Sequence, residues 1–252
     1  MPKIAFITGS SAGIGAATAT ILAQNGFDLL LAARRLDRLE TLATELQAQY
    51  GVRVHTFALD VRNRAEVSAQ LNALPAEWQN IDLLVNNAGL SQGLDTFHEG
   101  NLDDWDTMID TNIKGLLYVS RLVSEWMVAR KTGHIINIGS IAGKETYANG
   151  NVYCATKHAV DSLNKAMRID LLPYGIRVTG IHPGAVETEF SAVRFKGDIE
   201  RAQKVYDGFE PLIAQDIAEA IWFAVSRPAH VTINDLVIMP SAQANTSHLL
   251  KK

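Results

Sequence analysis

Seven short apolar runs recur along the chain with amphipathic stretches between them: IAFI (4–7), DLLLAA (28–33), VRVHTFAL (52–59), IDLLVNN (81–87), HIINIG (134–139), IRVTGIH (176–182) and DLVIMP (235–240). Several are near-continuous in Val, Ile and Leu, the pattern of strands covered by helices on both faces. Between the early runs, AATATILAQNG stops at Gly26 and LDRLETLATELQAQYG at Gly51, as helices do when glycine takes the C-terminal cap. Strand and helix alternate, which predicts right-handed crossovers and a doubly wound α/β fold with a seven-stranded, mostly parallel sheet. No Pro/Gly/Ser-rich linker interrupts residues 1–252, so one domain is expected.

The stretch TEFSAVRFKGDIERAQKVYDGF breaks the alternation, being polar and mixed and carrying Phe190, Phe195 and Phe209. It reads as an insertion ahead of the next helix, a substrate lid over about 189–215. In an open α/β sheet the ligand crevice lies beyond the carboxyl ends of the strands, within reach of such an insertion.

Directly behind the first run comes TGSSAGIG (8–15), uncharged and rich in glycine. A glycine turn between strand and helix lets backbone N–H groups approach a pyrophosphate at the positive end of the helix. The spacing of Gly9, Gly13 and Gly15 is G-x-x-x-G-x-G rather than the commoner G-x-G-x-x-G, so the turn alone is a weak signal, and tight packing would also explain it. Arg34 and Arg35 follow the second run, where NAD-binding folds place an acid for the ribose 2′-hydroxyl and where arginine accommodates a 2′-phosphate. The alternative is a solvated basic pair at a helix start, but cations in a first helical turn are disfavoured by about 0.3–1 kcal/mol, and an anionic ligand supplies a reason for them. NADP is expected rather than NAD.

Composition narrows the partners. A net charge of −4, with no run of five like charges, points away from nucleic acid and anionic membrane and toward a small-molecule substrate. The single cysteine, Cys154, has no disulfide partner and reads as a small buried side chain, and no Cys/His cluster has metal-ligand spacing. No 18-residue apolar span occurs, and the first strand leaves no room for a signal peptide. The expectation is a cytoplasmic protein without a bound metal.

Further along stand NNAG (86–89), Asn112 in DTNIKG, Ser140 in IGSIAG, and Tyr153 and Lys157 in YCATK. With TGSSAGIG, and in this order and spacing over nearly the whole chain, they resemble the signature motifs of the short-chain dehydrogenase/reductase family. The resemblance implies a Rossmann-like fold, hydride exchange between NADP and a CH–OH group, and a catalytic set of Asn112, Ser140, Tyr153 and Lys157. It places Gly9, Ser10, Ser11, Gly13, Ile14, Gly15, Arg34 and Arg35 on the cofactor's phosphates. Asp60 and Val61 fall at the adenine, Asn86, Ala88 and Gly89 on the adenosine side, and Pro183, Gly184, Val186 and Thr188 at the nicotinamide end. By the same carry-over Lys157 holds the nicotinamide ribose and Asn112 completes a proton relay through water. Related enzymes are commonly tetramers or dimers, and a homotetramer built through helices 101–130 and 151–173 is expected.

The residues support that chemistry on their own terms. Tyr153 and Lys157, four apart, share a helix face. Moving a phenol about three units down from its usual pKa near 10 takes roughly 4 kcal/mol of phenolate stabilisation. A fixed ammonium and an oxidised nicotinamide are sources of it. Tyr153 then takes the hydroxyl proton during oxidation and returns it during reduction, while Ser140 hydrogen-bonds the substrate oxygen. Singly, each has an ordinary alternative: a core tyrosine, a solvated lysine, a helix N-cap, a turn asparagine.

For the substrate, LPAEW, DWDTMIDTNIKGL, GNVYCATKHAV and TEFSAVRFKGD look like the NADP-dependent 3-hydroxy acid (serine or allo-threonine) dehydrogenases within that family. Arg194, in the lid, is then a candidate for gripping a substrate carboxylate beside Ser140 and Tyr153, with Lys196 a weaker one. The alternative is a solvated arginine or one paired with Glu187, Glu189 or Asp198. Lys144 and Glu145 depart from the relatives beside the pocket. A broad-specificity NADPH-dependent carbonyl reductase and a non-catalytic NADP-binding regulator are the competing readings. The tail, residues 231–252, is open between disorder and contact with a neighbouring subunit.

Overall fold

Successive side chains on a strand point to opposite faces, so a strand covered on both sides must be apolar at nearly every position. β1 (Ile4–Thr8) and β2 (Asp28–Ala33) are buried throughout. In the computed structural model, which describes residues 2–252, they are joined by β3 (Val54–Ala58), β4 (Ile81–Asn86), β5 (Gly133–Ile138) and β6 (Ile176–Pro183). Two-residue β7 (Val186–Glu187) and β8 (Leu212–Ile213) precede β9 (Asp235–Ile238). The seven longer strands form one sheet in the order β3-β2-β1-β4-β5-β6-β9. Every pairing is parallel, so the sheet is wholly rather than mostly so.

The helices are α1 (Gly13–Gln24), α2 (Leu36–Tyr50), α3 (Arg64–Asn72), α4 (Leu102–Ile109), α5 (Leu116–Arg130), α6 (Asn151–Leu171), the short α7 (Phe190–Arg194) and α8 (Ile199–Lys204), and α9 (Ala214–Val225). Ala5, Ile7, Leu29 and Leu31 pack with Leu22 of α1, Leu39 of α2 and Ile217 and Ile221 of α9. Their alternates Ile4, Phe6 and Leu30 pack with Val67 of α3 and Val119, Val123 and Met127 of α5. These two layers carry most of the apolar burial, the main favourable contribution to folding.

Three features position the site. The strand order reverses between β1 and β4, where open α/β sheets hold their ligands. Between α4 and α5 the chain winds as a π-helix over Asp110–Gly115, a widening that recurs at functional sites and holds Asn112 here. The expected lid consists of α7, α8 and the loop that follows, its base pinned where Val186 pairs with Leu212 and Glu187 with Ile213.

The tail folds onto its own chain. Lys252 N–H donates to the Gly208 carbonyl at 2.8 Å, and Thr246 N–H to Glu145 Oε2 at 3.2 Å. Cys154 is buried and unpaired. Among the described residues no helix is long and apolar enough to cross a membrane.

Candidate active site

The first N–H groups of a helix lack intrahelical acceptors. At α1 the cap is Ala12, whose side chain bonds none of them, and the turn opens onto a cleft of about 280 Å³ at the β1/β4 reversal. Gly9 (φ +66°) and Gly13 (φ +53°) hold left-handed backbone that side chains disfavour. A Cβ on Gly9 would sit 2.9 Å from Ala88 Cα. Asn87 fastens the turn to β4, its Nδ2 donating to the Thr8 and Gly9 carbonyls at 3.0 Å each.

The cleft wall gathers Gly9, Ser11, Gly13, Ile14, Arg34, Arg35, Asp60, Val61, Ala88, Gly89, Ser140, Tyr153, Lys157, Pro183, Gly184, Val186 and Thr188. Three expected cofactor residues lie beneath it instead. Ser10 is fully buried, its hydroxyl 3.4 Å from the Ala32 carbonyl. Gly15 is there for packing: a Cβ would fall 2.5 Å from the Gly9 carbonyl oxygen. Asn86 points into the α5 layer, donating to Ser120 Oγ and Asn137 Oδ1 at 2.8 Å each. Sequence reading passed over Asn87, Arg62, Thr111 and Glu189, which line the cleft.

These surroundings fit a 2′-phosphorylated dinucleotide. The buried Thr111 hydroxyl lines the cleft with no partner. Arg34 lines it without an ion pair among the described residues, while Arg35 donates from Nε and Nη2 to Ser11 Oγ at 3.3 and 3.2 Å. Asp60 is clasped by Arg62, whose hydrogen bond holds its carboxyl below the usual range.

At the opposite end of the cleft α6 carries Tyr153 and Lys157, both buried. Lys157 Nζ donates to the Ile138 carbonyl at 2.9 Å and lies 5.9 Å from the centre of the Tyr153 ring. A Cβ on Gly89 would be 3.5 Å from that ammonium and 3.2 Å from Asn112 Oδ1. Ser140 accepts from Ala142 N–H at 3.1 Å, so it caps a short helical turn while facing the cleft. The Asn112 side chain clamps the Leu90 backbone, accepting from its N–H and donating to its carbonyl at 2.8 Å each.

Burial, and then the charge of Tyr147, push the Tyr153 phenol up, while the Arg194 charge and the Ser140 hydroxyl pull it back. The fold by itself therefore favours the protonated phenol. Burial also pushes the Lys157 ammonium down to about 8. An amine depressed below its unfolded value destabilises the fold while charged, fully below about pH 8 and less as pH rises to the unfolded value of ~10.4. Lys157→Met is expected to raise stability by roughly 1–2 kcal/mol at neutral pH, net of its lost hydrogen bond, with the gain fading above about pH 8. Thermal melts across a pH series check this.

Arg194, on α7, reaches over the phenol. Its guanidinium stands 5.2 Å from the centres of both the Tyr153 and Phe190 rings. Nε donates to Ser91 Oγ at 3.0 Å and Nη2 to Tyr147 Oη at 2.9 Å. It pairs with none of the carboxylates considered from sequence: Glu189 goes to Arg35 and Arg38. Lys196 is taken by Asp104 at 2.9 Å, and Lys144 by Asp161 at 2.6 Å.

Fold and cleft together define a dinucleotide-dependent oxidoreductase with a Rossmann-like sheet. A family model described as short chain dehydrogenase matches residues 3–198. The NADP-dependent 3-hydroxy acid dehydrogenase YdfG of Salmonella typhi is 49% identical over 242 residues, 96% of each chain. The NADP-dependent 3-hydroxy acid dehydrogenase of Schizosaccharomyces pombe is 43% identical over 251 residues, 99% of this chain and 97% of its own. Among solved structures, the closed form of a serine dehydrogenase complexed with NADP+ superposes with a TM-score of 0.92 at 46% identity, covering 99% of both chains. This chain belongs to the short-chain dehydrogenase family.

Proposed function

We propose that the protein is an NADP-dependent dehydrogenase of small 3-hydroxy acids, interconverting their hydroxyl with the ketone or aldehyde. The observation that carries the substrate class is Arg194: a half-buried guanidinium held over Tyr153 whose side chain, among the described residues, bonds neutral hydroxyls and no anion. A substrate carboxylate supplies that partner and aims the neighbouring hydroxyl at Tyr153 and Ser140. The names of the similar proteins agree with this reading.

When bound, NADP supplies the hydride exchange and, in its oxidised form, a positive charge beside the phenol. Tyr153 moves the proton at the substrate oxygen, and Ser140 hydrogen-bonds that oxygen as charge develops on it. Lys157 offers its ammonium to the nicotinamide ribose. With the Asn112 side chain committed to Leu90, its part in the proton relay falls to the main-chain carbonyl within the π-helical segment. Arg34, Arg35 and Ser11 take the 2′-phosphate. Arg34→Ala is expected to shift the NADPH-to-NADH affinity ratio about tenfold toward NADH, read by cofactor fluorescence titration.

The deciding assay compares L-serine, L-allo-threonine and 3-hydroxybutyrate with a panel of apolar ketones, each with both cofactors. Turnover confined to the apolar ketones would return the assignment to a broad carbonyl reductase. Phe190 favours that second reading, its ring centre 5.7 Å from that of Tyr153. We also infer a cytoplasmic homotetramer. Leu102 on α4 and Ile169 on α6, about 70% exposed, are apolar side chains for such contacts. A sizing measurement that finds a monomer would remove it.

A further inference from the structure

Glu189 sits where the lid meets the cofactor cleft. Its neighbour Thr188 touches the glycine turn, within 3.3 Å of where a Gly13 Cβ would lie. The two Glu189 carboxylate oxygens are divided between two guanidinium groups: Oε2 accepts from Arg35 Nη1 at 2.9 Å and Oε1 from Arg38 Nη1 at 2.6 Å. Arg35 thus presents one edge to the lid and its Nε–Nη2 edge to Ser11 in the cleft wall. Arg38 foremost, and then Arg35, holds the Glu189 carboxyl below the usual range.

Charge decides whether this carboxylate shares the arginines with a cofactor or competes for them. Arg34, Arg35 and Arg38 bring three positive charges to this corner. A phosphate monoester near neutral pH carries about −1.5 to −2, and Glu189 adds one more negative charge. The three positive charges, offset in part by Asp37 beside Arg38, attract both anions. The two edges of Arg35 give each anion its own donors.

We propose, resting on the NADP reading above, that Glu189 is a specificity-determining residue that couples recognition of the cofactor's 2′-phosphate to closure of the lid. A 2′-phosphate on the Ser11-facing edge fixes Arg35, and the fixed Arg35 presents Nη1 to Glu189. Docking of Glu189 seats α7 and carries Arg194, five residues on, over Tyr153. NADH fixes Arg35 less and closes the lid less. Linkage makes the effect reciprocal, so losing Glu189 weakens the binding of NADPH in particular.

The opposite side of the lid offers a control, because the Lys196 to Asp104 pair holds it without touching the arginine cluster. Glu189, Arg35 and Arg38 have side chains 42–48% exposed, so the fold does not depend on them. The experiment titrates the full wild-type chain, Glu189→Gln and Lys196→Met with NADPH and with NADH by nicotinamide fluorescence. Parallel trypsin digests follow cleavage after Arg201 and Lys204 in the lid.

Wild type is expected to bind NADPH more tightly and to be protected by it more than by NADH. In Glu189→Gln the NADPH dissociation constant should rise about fivefold and the NADH value less than about twofold, with NADPH protection reduced to the NADH level. Lys196→Met leaves the Glu189 to Arg35 contact in place, so it should keep the preference for NADPH and the stronger protection by NADPH. Unchanged or tighter NADPH binding in Glu189→Gln, or retained protection, overturns the proposal. Equal affinity of wild type for the two cofactors overturns the NADP reading and this inference with it. A normal NADPH preference with an indifferent Glu189→Gln overturns this inference alone.

Discussion

Tyr153→Phe is expected to lower kcat by about 10²- to 10⁴-fold, the usual contribution of a positioned proton donor and acceptor, while NADPH binding stays within a factor of two. The substitution removes one hydroxyl from a buried ring and leaves the packing of Cys154, Leu90 and Phe190 around it in place. The pH dependence sharpens the test, since burial pushes the phenol up and the protein alone keeps it protonated. A protonated phenol is ready to donate in carbonyl reduction. It must lose its proton before it can accept one in alcohol oxidation. Wild-type oxidation should therefore climb with rising pH, whereas reduction should hold level and fall only on the alkaline side. The phenylalanine variant should lose both limbs. Steady-state rates in each direction, paired with fluorescence titration of NADPH, provide the measurement, and rates near wild type would end the assignment of Tyr153.

Why the sheet was legible in advance and parts of the cleft were not follows from the range of the interactions. Runs such as DLLLAA announce a strand because covering both faces demands apolar side chains at consecutive positions, a local property. Asn86 was misplaced although its own strand held the clue: alternation along β4 puts it on the face of Leu84, toward α5 and away from the cleft. The π-helical segment DTNIKG is rich in weak helix formers, Asp, Thr, Asn and Gly, but nothing in that composition separates a widened turn from a helix end. Glu189 lies 154 positions from Arg35 and 151 from Arg38, and no periodicity connects residues that far apart. Arg194 was visible as a candidate, but its isolation from Glu187, Glu189 and Asp198 is a property of the folded α7–α8 segment.

That isolation gives the second large expectation. Arg194→Met should raise KM for a 3-hydroxy acid about 10- to 100-fold, because a hydrogen-bonded charged pair contributes roughly 1.5–3 kcal/mol. Apolar ketones, which offer no carboxylate, should be nearly indifferent to the change. Arg194→Lys should recover only part of the loss, since an ammonium keeps the charge but lacks the planar fork that meets both carboxylate oxygens. A second effect separates direct contact from a loosened lid. The guanidinium over the ring pulls the Tyr153 phenol down against burial, so its removal lets that phenol rise further. The alkaline rise in oxidation should accordingly move to higher pH in Arg194→Met and stay closer to wild type in Arg194→Lys. A KM increase shared equally by acids and apolar ketones, with no displacement of the pH profile, would show Arg194 to be structural and leave the acid specificity without its anchor.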